Sequence, residues 1–195
     1  MLTFRQRILK GFYPVLMYLN RIRKKHLIRH RTNQNALSSI YIRSVILNDG
    51  TIFPLEKLKR KKILFVNTAS DCGYTNQYAE LEQLHEQYQH KLNIIAFPAN
   101  DFKHQEKGSD KAIEQFCKGN FNIQFPIAKK SRVIKGENQN EVFQWLTLKE
   151  LNGWNDEQPI WNFTKYLVNE EGILTDIYNP GVSPLSQEVV KAVEA

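Results

Sequence analysis

Lys61-Lys62-Ile63-Leu64-Phe65-Val66-Asn67-Thr68-Ala69-Ser70-Asp71-Cys72-Gly73-Tyr74-Thr75-Asn76 is the stretch on which the reading of this chain turns. Ile63 to Val66 is an unbroken apolar run rich in β-formers, which predicts a buried central strand. A small polar loop carrying Cys72 follows, and helix-forming sequence begins near Asn76. Strand, loop and helix in that order place the thiol near a helix N-terminus. Orphan N–H groups and the helix dipole there favour thiolate over thiol, which makes Cys72 a candidate nucleophile. The bland alternative is a small buried hydrophobe, the commoner fate of a free cysteine.

Working outward on the C-terminal side, residues 76–90 set Tyr78, Leu81, Leu84, His85 and Tyr88 on one helical face. His85 reads there as a packing residue. Lys91 to Phe97 is a second buried strand, stopped by Pro98. Strand, helix and strand at this spacing form a βαβ unit with parallel strands, and active groups gather at the strands' carboxyl ends. The polar loop 99–108 precedes a helix capped by Ser109 and running to Cys117, with Lys118-Gly119-Asn120 as a hinge beyond it. Residues 133–136 read as a short edge segment, 141–148 as a helix, 161–168 and 173–178 as strands, and 186–194 as a closing helix.

On the N-terminal side, Ser39 to Val45 and Thr51 to Pro54 flank Asn48-Asp49-Gly50, a hairpin signal. Before that lies an extension of different character. Residues 1–36 hold nine Lys or Arg and no Asp or Glu. The whole chain of 195 residues carries 27 basic and 20 acidic side chains, so the remainder is slightly acidic. The net charge of +7 therefore belongs to the extension, and the domain from 37 to 195 lacks the basic footprint of a nucleic-acid binder. Within the extension, Leu9, Phe12, Tyr13, Leu16, Met17 and Leu19 recur at roughly helical spacing. Three readings stand: an amphipathic helix on an anionic membrane, a targeting peptide, or a solvated tail. His26 and His30 are spaced to share a metal but bring no third ligand. Two cysteines are too few for a secreted disulfide scaffold and fit a reducing, cytoplasmic setting.

The order ββαβ, α, ββα predicts an α/β protein of thioredoxin-like fold: a central mixed sheet flanked by helices, behind a basic N-terminal extension. Thr75 stands three residues after Cys72, so there is no C-x-x-C and a dithiol exchanger at one helix tip is excluded. Four blocks instead resemble the glutathione peroxidase family, over about residues 38–193. They are Val66 to Thr75 around Cys72; Ile95-Ala96-Phe97-Pro98-Ala99-Asn100-Asp101-Phe102; Gln105-Glu106-Lys107-Gly108-Ser109; and Trp161-Asn162-Phe163-Thr164-Lys165. Ala99 replaces a frequent Cys, Asp101 a Gln, and Lys107 a Pro.

The resemblance implies a peroxidatic Cys72 surrounded by Gln105, Trp161 and Asn162, whose neutral donors can hydrogen-bond a thiolate. It also implies that Cys117 resolves the oxidised sulfur as a disulfide, in the cysteine-containing, thioredoxin-dependent type. Glutathione is the other reductant, and Cys117 as a buried bystander the other reading. Hydrogen peroxide and organic or lipid hydroperoxides are the implied substrates, with no cofactor and no metal. The short loop before Trp161 matches compact, monomeric members. A peroxide sensor relaying its disulfide to a partner needs the same thiols, and a binding module without catalysis is a third class. The reduced fold is expected to hold the thiols apart until residues 109–119 unwind. The extension is expected to be dispensable for the cycle.

Overall fold

The computed structural model describes residues 2–22, 27–29 and 35–195. His26 and His30 lie outside the described residues. The chain begins with helix α1 (Phe4–Ile22) and a short strand β1 (Leu27–Arg29). After a 3-10 turn at Ile40–Ile42 come β2 (Ser44–Ile46) and β3 (Ile52–Pro54), which pair antiparallel around the expected Asn48-Asp49-Gly50 turn. Gly50 sits at φ +88, a backbone angle that favours glycine.

The central strand β4 (Lys62–Thr68) is buried along its whole length. It is followed by α2 (Gln77–Tyr88) and β5 (Leu92–Pro98), and β4 and β5 pair in parallel with Phe65 opposite Ile95. Then come α3 (Asp110–Phe121), α4 (Glu141–Thr147), α5 (Lys149–Asn152), β6 (Lys165–Val168), β7 (Leu174–Tyr178) and α6 (Gln187–Glu194). The sheet order is β1-β7-β6-β4-β5, with β6 antiparallel to both β4 and β7. This is the expected thioredoxin-like arrangement, a mixed sheet with an apolar core on each face. One core holds Leu64, Val66, Leu81 and Ile113 together with both cysteines. The other holds Ile63, Phe65, Phe97, Phe143 and Trp145. Alternation along β4 explains the division, since odd and even residues of a strand face opposite ways.

Four details differ from the sequence reading. Helix α3 continues four residues past Cys117, and its last turn is closed by Asn122 in the left-handed conformation, φ 54, whose N–H donates to the Lys118 carbonyl. Gly119 is therefore inside the helix rather than in a hinge beyond it. The strand expected from Trp161 starts only at Lys165, because residues 161–164 form a turn. Residues 133–136 make no strand, only an isolated bridge from Arg132 to Gln139 beside them. The extension is no free appendage: β1 adds an edge to β7, and α1 lies against the body.

Candidate active site

The loop after β4 turns back on itself at Cys72. The Cys72 N–H donates to Thr75 Oγ1 at 3.0 Å, and that hydroxyl donates to the Ala69 carbonyl at 2.9 Å. These bonds fold residues 69–75 into a tight cup with the sulfur inside. Tyr74 N–H points at Cys72 Sγ from 3.4 Å. The Cys72 side chain is 1% exposed.

A second loop is stitched to the first. Ser70 donates through both its N–H and its hydroxyl to the Glu106 carboxylate, at 2.8 Å each. Asp71 N–H donates to the Gln105 carbonyl at 3.1 Å. Glu106 is fully buried, and burial pushes its carboxyl above the usual range against the pull of Ser70 and Lys130. Lys103 and His104, just before Gln105, both take left-handed backbone angles, φ 50 and 52. Such angles cost a non-glycine residue about 1–3 kcal/mol and cluster at sites where side-chain aim matters.

The third segment, residues 161–164, is held by Asn67 of β4. Asn67 Nδ2 donates to the Trp161 carbonyl at 3.1 Å, and Thr164 N–H donates to Asn67 Oδ1 at 3.0 Å. Phe163 sits at φ 67, a strained angle for an aromatic residue, directly after Asn162. Trp161 stacks near Phe102, ring centroids 5.6 Å apart, with Lys103 Nζ 5.7 Å from its ring. The Lys165 ammonium is fully buried, donating to Gln77 Oε1 and the Phe163 carbonyl at 2.8 Å each. Burial pulls its pKa down to about 7.

These three segments bring together four of the five residues singled out from sequence. Trp161 and Asn162 stand near enough to the Cys72 sulfur for their N–H groups to favour its thiolate. Asn162 Nδ2 also donates to Gln105 Oε1 at 3.0 Å, which leaves the Gln105 N–H₂ as the free end of that amide. Asn162 Oδ1 is buried without a partner. Burial pushes the Cys72 thiol up, while Tyr74 N–H, Trp161 and Asn162 pull it down and the Asp71 charge raises it. Helix α2 starts five residues beyond Cys72, so the donors are these side chains and a loop N–H rather than the helix's first turn.

The fifth residue, Cys117, lies on a separate element, α3. It is buried in the same apolar core, no disulfide joins it to Cys72, and its thiol is pushed up to about 12 by burial. Tyr78 pulls the other way, and its buried hydroxyl has no hydrogen-bond partner among the described residues. Sequence reasoning missed Glu106, Thr75 and Asn67 as site residues. Glu106 and Asn67 fall inside quoted motif blocks, and a polar residue in an otherwise apolar strand was the available signal for Asn67. Among the described residues, no group of three or more His, Cys, Asp or Glu is placed to hold a metal ion.

Comparison with known proteins agrees with this geometry. The family model described as Glutathione peroxidase matches residues 40–147. The chain is 39% identical over 164 residues to the glutathione peroxidase-like peroxiredoxin HYR1 of Saccharomyces cerevisiae, covering 81% of this chain and 100% of that one. It is 26% identical to the crystal structure of T. cruzi GPX1, with a TM-score of 0.60 over 80% of this chain and 93% of that one. A thioredoxin family thiol:disulfide interchange protein from Chlorobium tepidum, 14% identical with a TM-score of 0.60, covers 85% of this chain and 100% of that one and shares the fold alone. The chain belongs to the glutathione peroxidase family.

Proposed function

We propose that this protein, a glutathione peroxidase-like peroxidase, reduces hydrogen peroxide and organic or lipid hydroperoxides with Cys72 as the attacking sulfur. The observation that carries the reading is the buried Cys72 sulfur with Tyr74 N–H aimed at it and Gln105 bonded to Asn162, while Trp161 and Asn162 favour the thiolate. Neutral N–H donors stabilise S⁻ without protonating it. The thiolate attacks one peroxide oxygen, the O–O bond breaks, and the other oxygen leaves as alkoxide or hydroxide and takes up a proton. Cys72 becomes a sulfenic acid. The unpartnered Asn162 Oδ1 is an acceptor for the peroxide hydroxyl, and the free Gln105 N–H₂ a donor for the leaving oxygen.

The Cys117 thiol gives up its proton and attacks the Cys72 sulfur; the S–S bond forms, the S–O bond breaks, and the hydroxide leaves as water by taking up that proton. A thioredoxin-like dithiol, or two glutathione molecules, returns both cysteines to thiols by exchange. The HYR1 relative is named a peroxiredoxin, and Cys117 is the only second thiol in this sequence, which together support the internal disulfide. The protein acts as a monomer, and residues 1–36 give it peripheral contact with anionic membrane. The basic, acid-free composition of that extension supports the contact. Among the described residues no helix is long and apolar enough to cross a membrane.

Steady-state peroxide reduction with thioredoxin and with glutathione, compared side by side, tests the cycle. Cys72→Ser should abolish turnover with either reductant. Trp161→Phe should slow the attack on the order of a hundred- to a thousand-fold, the usual loss on removing one preorganised donor. Wild-type kinetics in Trp161→Phe would remove its N–H from the mechanism.

A further inference from the structure

Helix α1 stands on the Cys72 loop. Arg5 Nε pairs with Asp71 Oδ1 at 3.2 Å, and Gln6 Nε2 donates to the Ser70 carbonyl at 2.9 Å. Asn20 Nδ2 donates to the Tyr74 hydroxyl at 3.0 Å, and the Tyr13 hydroxyl donates to Glu80 of α2. Leu16 Cδ2 is 3.4 Å from where a Cβ on Gly73 would stand. Gln6, Leu9 and Lys10 of the helix close a small pocket against Cys72, Gly73 and Phe121. Helix α1 thus bonds Ser70, Asp71 and Tyr74 and lies over Gly73, and it shares the pocket with Phe121 at the end of α3, the helix that carries Cys117.

The seating is light. Tyr13 is the only buried side chain among the described residues of α1, and Leu9, Leu16 and Met17 are half-buried. The Arg5 side chain is 65% exposed within its ion pair. The opposite side of the helix is apolar and bare: Phe4, Ile8, Phe12, Val15, Tyr18 and Leu19 are 45–80% exposed. Arg5, Arg7 and Lys10 flank that stripe, in an extension without one acidic residue. An apolar stripe rimmed by cations matches an anionic bilayer surface, where the rings enter the acyl boundary and the cations meet headgroups. A lipid phosphate competes with Asp71 for the exposed Arg5 guanidinium.

We propose that α1 is a cover over Cys72 and that an anionic lipid surface, taking hold of its outward stripe, draws it off the thiol. Peroxide chemistry would then be released where lipid hydroperoxides are found. The proposal rests on the membrane contact given above and adds to it the control of the site. Removing the cover also removes part of the burial that raises the Cys72 thiol.

Peptide-resolved alkylation of Cys72 by iodoacetamide tests this on the full chain and does not depend on peroxidase turnover. In solution Cys72 should react slowly. Phosphatidylglycerol vesicles should raise the rate at least about tenfold, roughly the effect of losing one ion pair and one hydrogen bond from the closed state. Phosphatidylcholine vesicles should leave it unchanged. The double variant Tyr13→Ala, Leu16→Glu should react fast without vesicles. Ile8→Glu, Phe12→Glu should stay slow with phosphatidylglycerol, and circular dichroism should show both variants folded. Phosphatidylglycerol vesicles that bind the chain but leave the rate unchanged would overturn the cover. So would a Tyr13→Ala, Leu16→Glu variant as slow as wild type. Failure to bind phosphatidylglycerol would overturn both the cover's release and the membrane contact it rests on.

Discussion

At the scale of single residues, the site is a contest over one proton. Burial favours the neutral Cys72 thiol, and three N–H donors favour the thiolate. Burial prevails in the covered state, so the ionisation lies above the ordinary thiol range. Attack needs the thiolate. The rate of Cys72 oxidation should therefore climb with pH through the ordinary thiol range and go on climbing beyond it. Asn162→Ala, which removes a donor, should move the curve to still higher pH and lower the rate at pH 7. Stopped-flow oxidation across pH checks both, and a rate already level below pH 7 would contradict the burial argument. Side-chain chemistry and motif blocks named Cys72, Gln105, Trp161 and Asn162 together, and their three segments do meet in the fold. Glu106 and Thr75 were not legible, because each works by bonding another residue's backbone. The Glu106–Ser70 bond spans 36 positions, and no periodicity carries such a contact. Nor does sequence give burial, which is why the helix-tip argument alone overstated the thiolate.

At the scale of elements, β4, α2 and β5 were legible from apolar runs and one helical stripe, and their parallel pairing followed from the crossover. The end of α3 was not. Gly119 and Asn120 look like a stop, yet the helix runs through them to a left-handed Asn122, and Asn120 bonds back to the Phe116 carbonyl. The non-glycine left-handed positions Lys103, His104 and Phe163 were equally hidden, since tertiary bonds hold them there. Helix α3 matters for resolution. A disulfide needs Cα atoms within about 7 Å, and Ile113 pins the same helix into the core beside Cys117. We expect α3 to unwind locally after Cys72 is oxidised, with the break at Asn122 rather than at Gly119. A 12-residue helix has little stability of its own, so its opening need not disturb the sheet. Hydrogen exchange should show residues 110–121 losing protection on peroxide treatment while 62–68 keep theirs. Disulfide formation without that loss would mean that the thiols meet with α3 intact.

At the scale of the whole molecule, charge divides the chain into a basic extension and a near-neutral remainder, but charge says nothing about where the extension sits. Its two apolar stripes explain the gap. Leu9, Tyr13 and Leu16 read in sequence as one amphipathic face together with Phe12 and Leu19, whereas the first three face the domain and the last two face outward. Docking also depends on partners far along the chain, such as Glu80 for Tyr13, 67 positions away. The thioredoxin-like body was legible because its core alternates along strands. Its tie to the extension was not, because β1 is only three residues long and pairs with the distant β7. Everything argued for the site depends on Cys72 being the sulfur that peroxide oxidises. The most direct measurement treats the reduced protein with one equivalent of hydrogen peroxide, traps with dimedone, and maps both cysteines by peptide mass spectrometry. Wild type should yield a Cys72–Cys117 disulfide, and Cys117→Ser should yield a dimedone adduct on Cys72. An adduct on Cys117 of the wild-type protein, with Cys72 left as the free thiol, would contradict it.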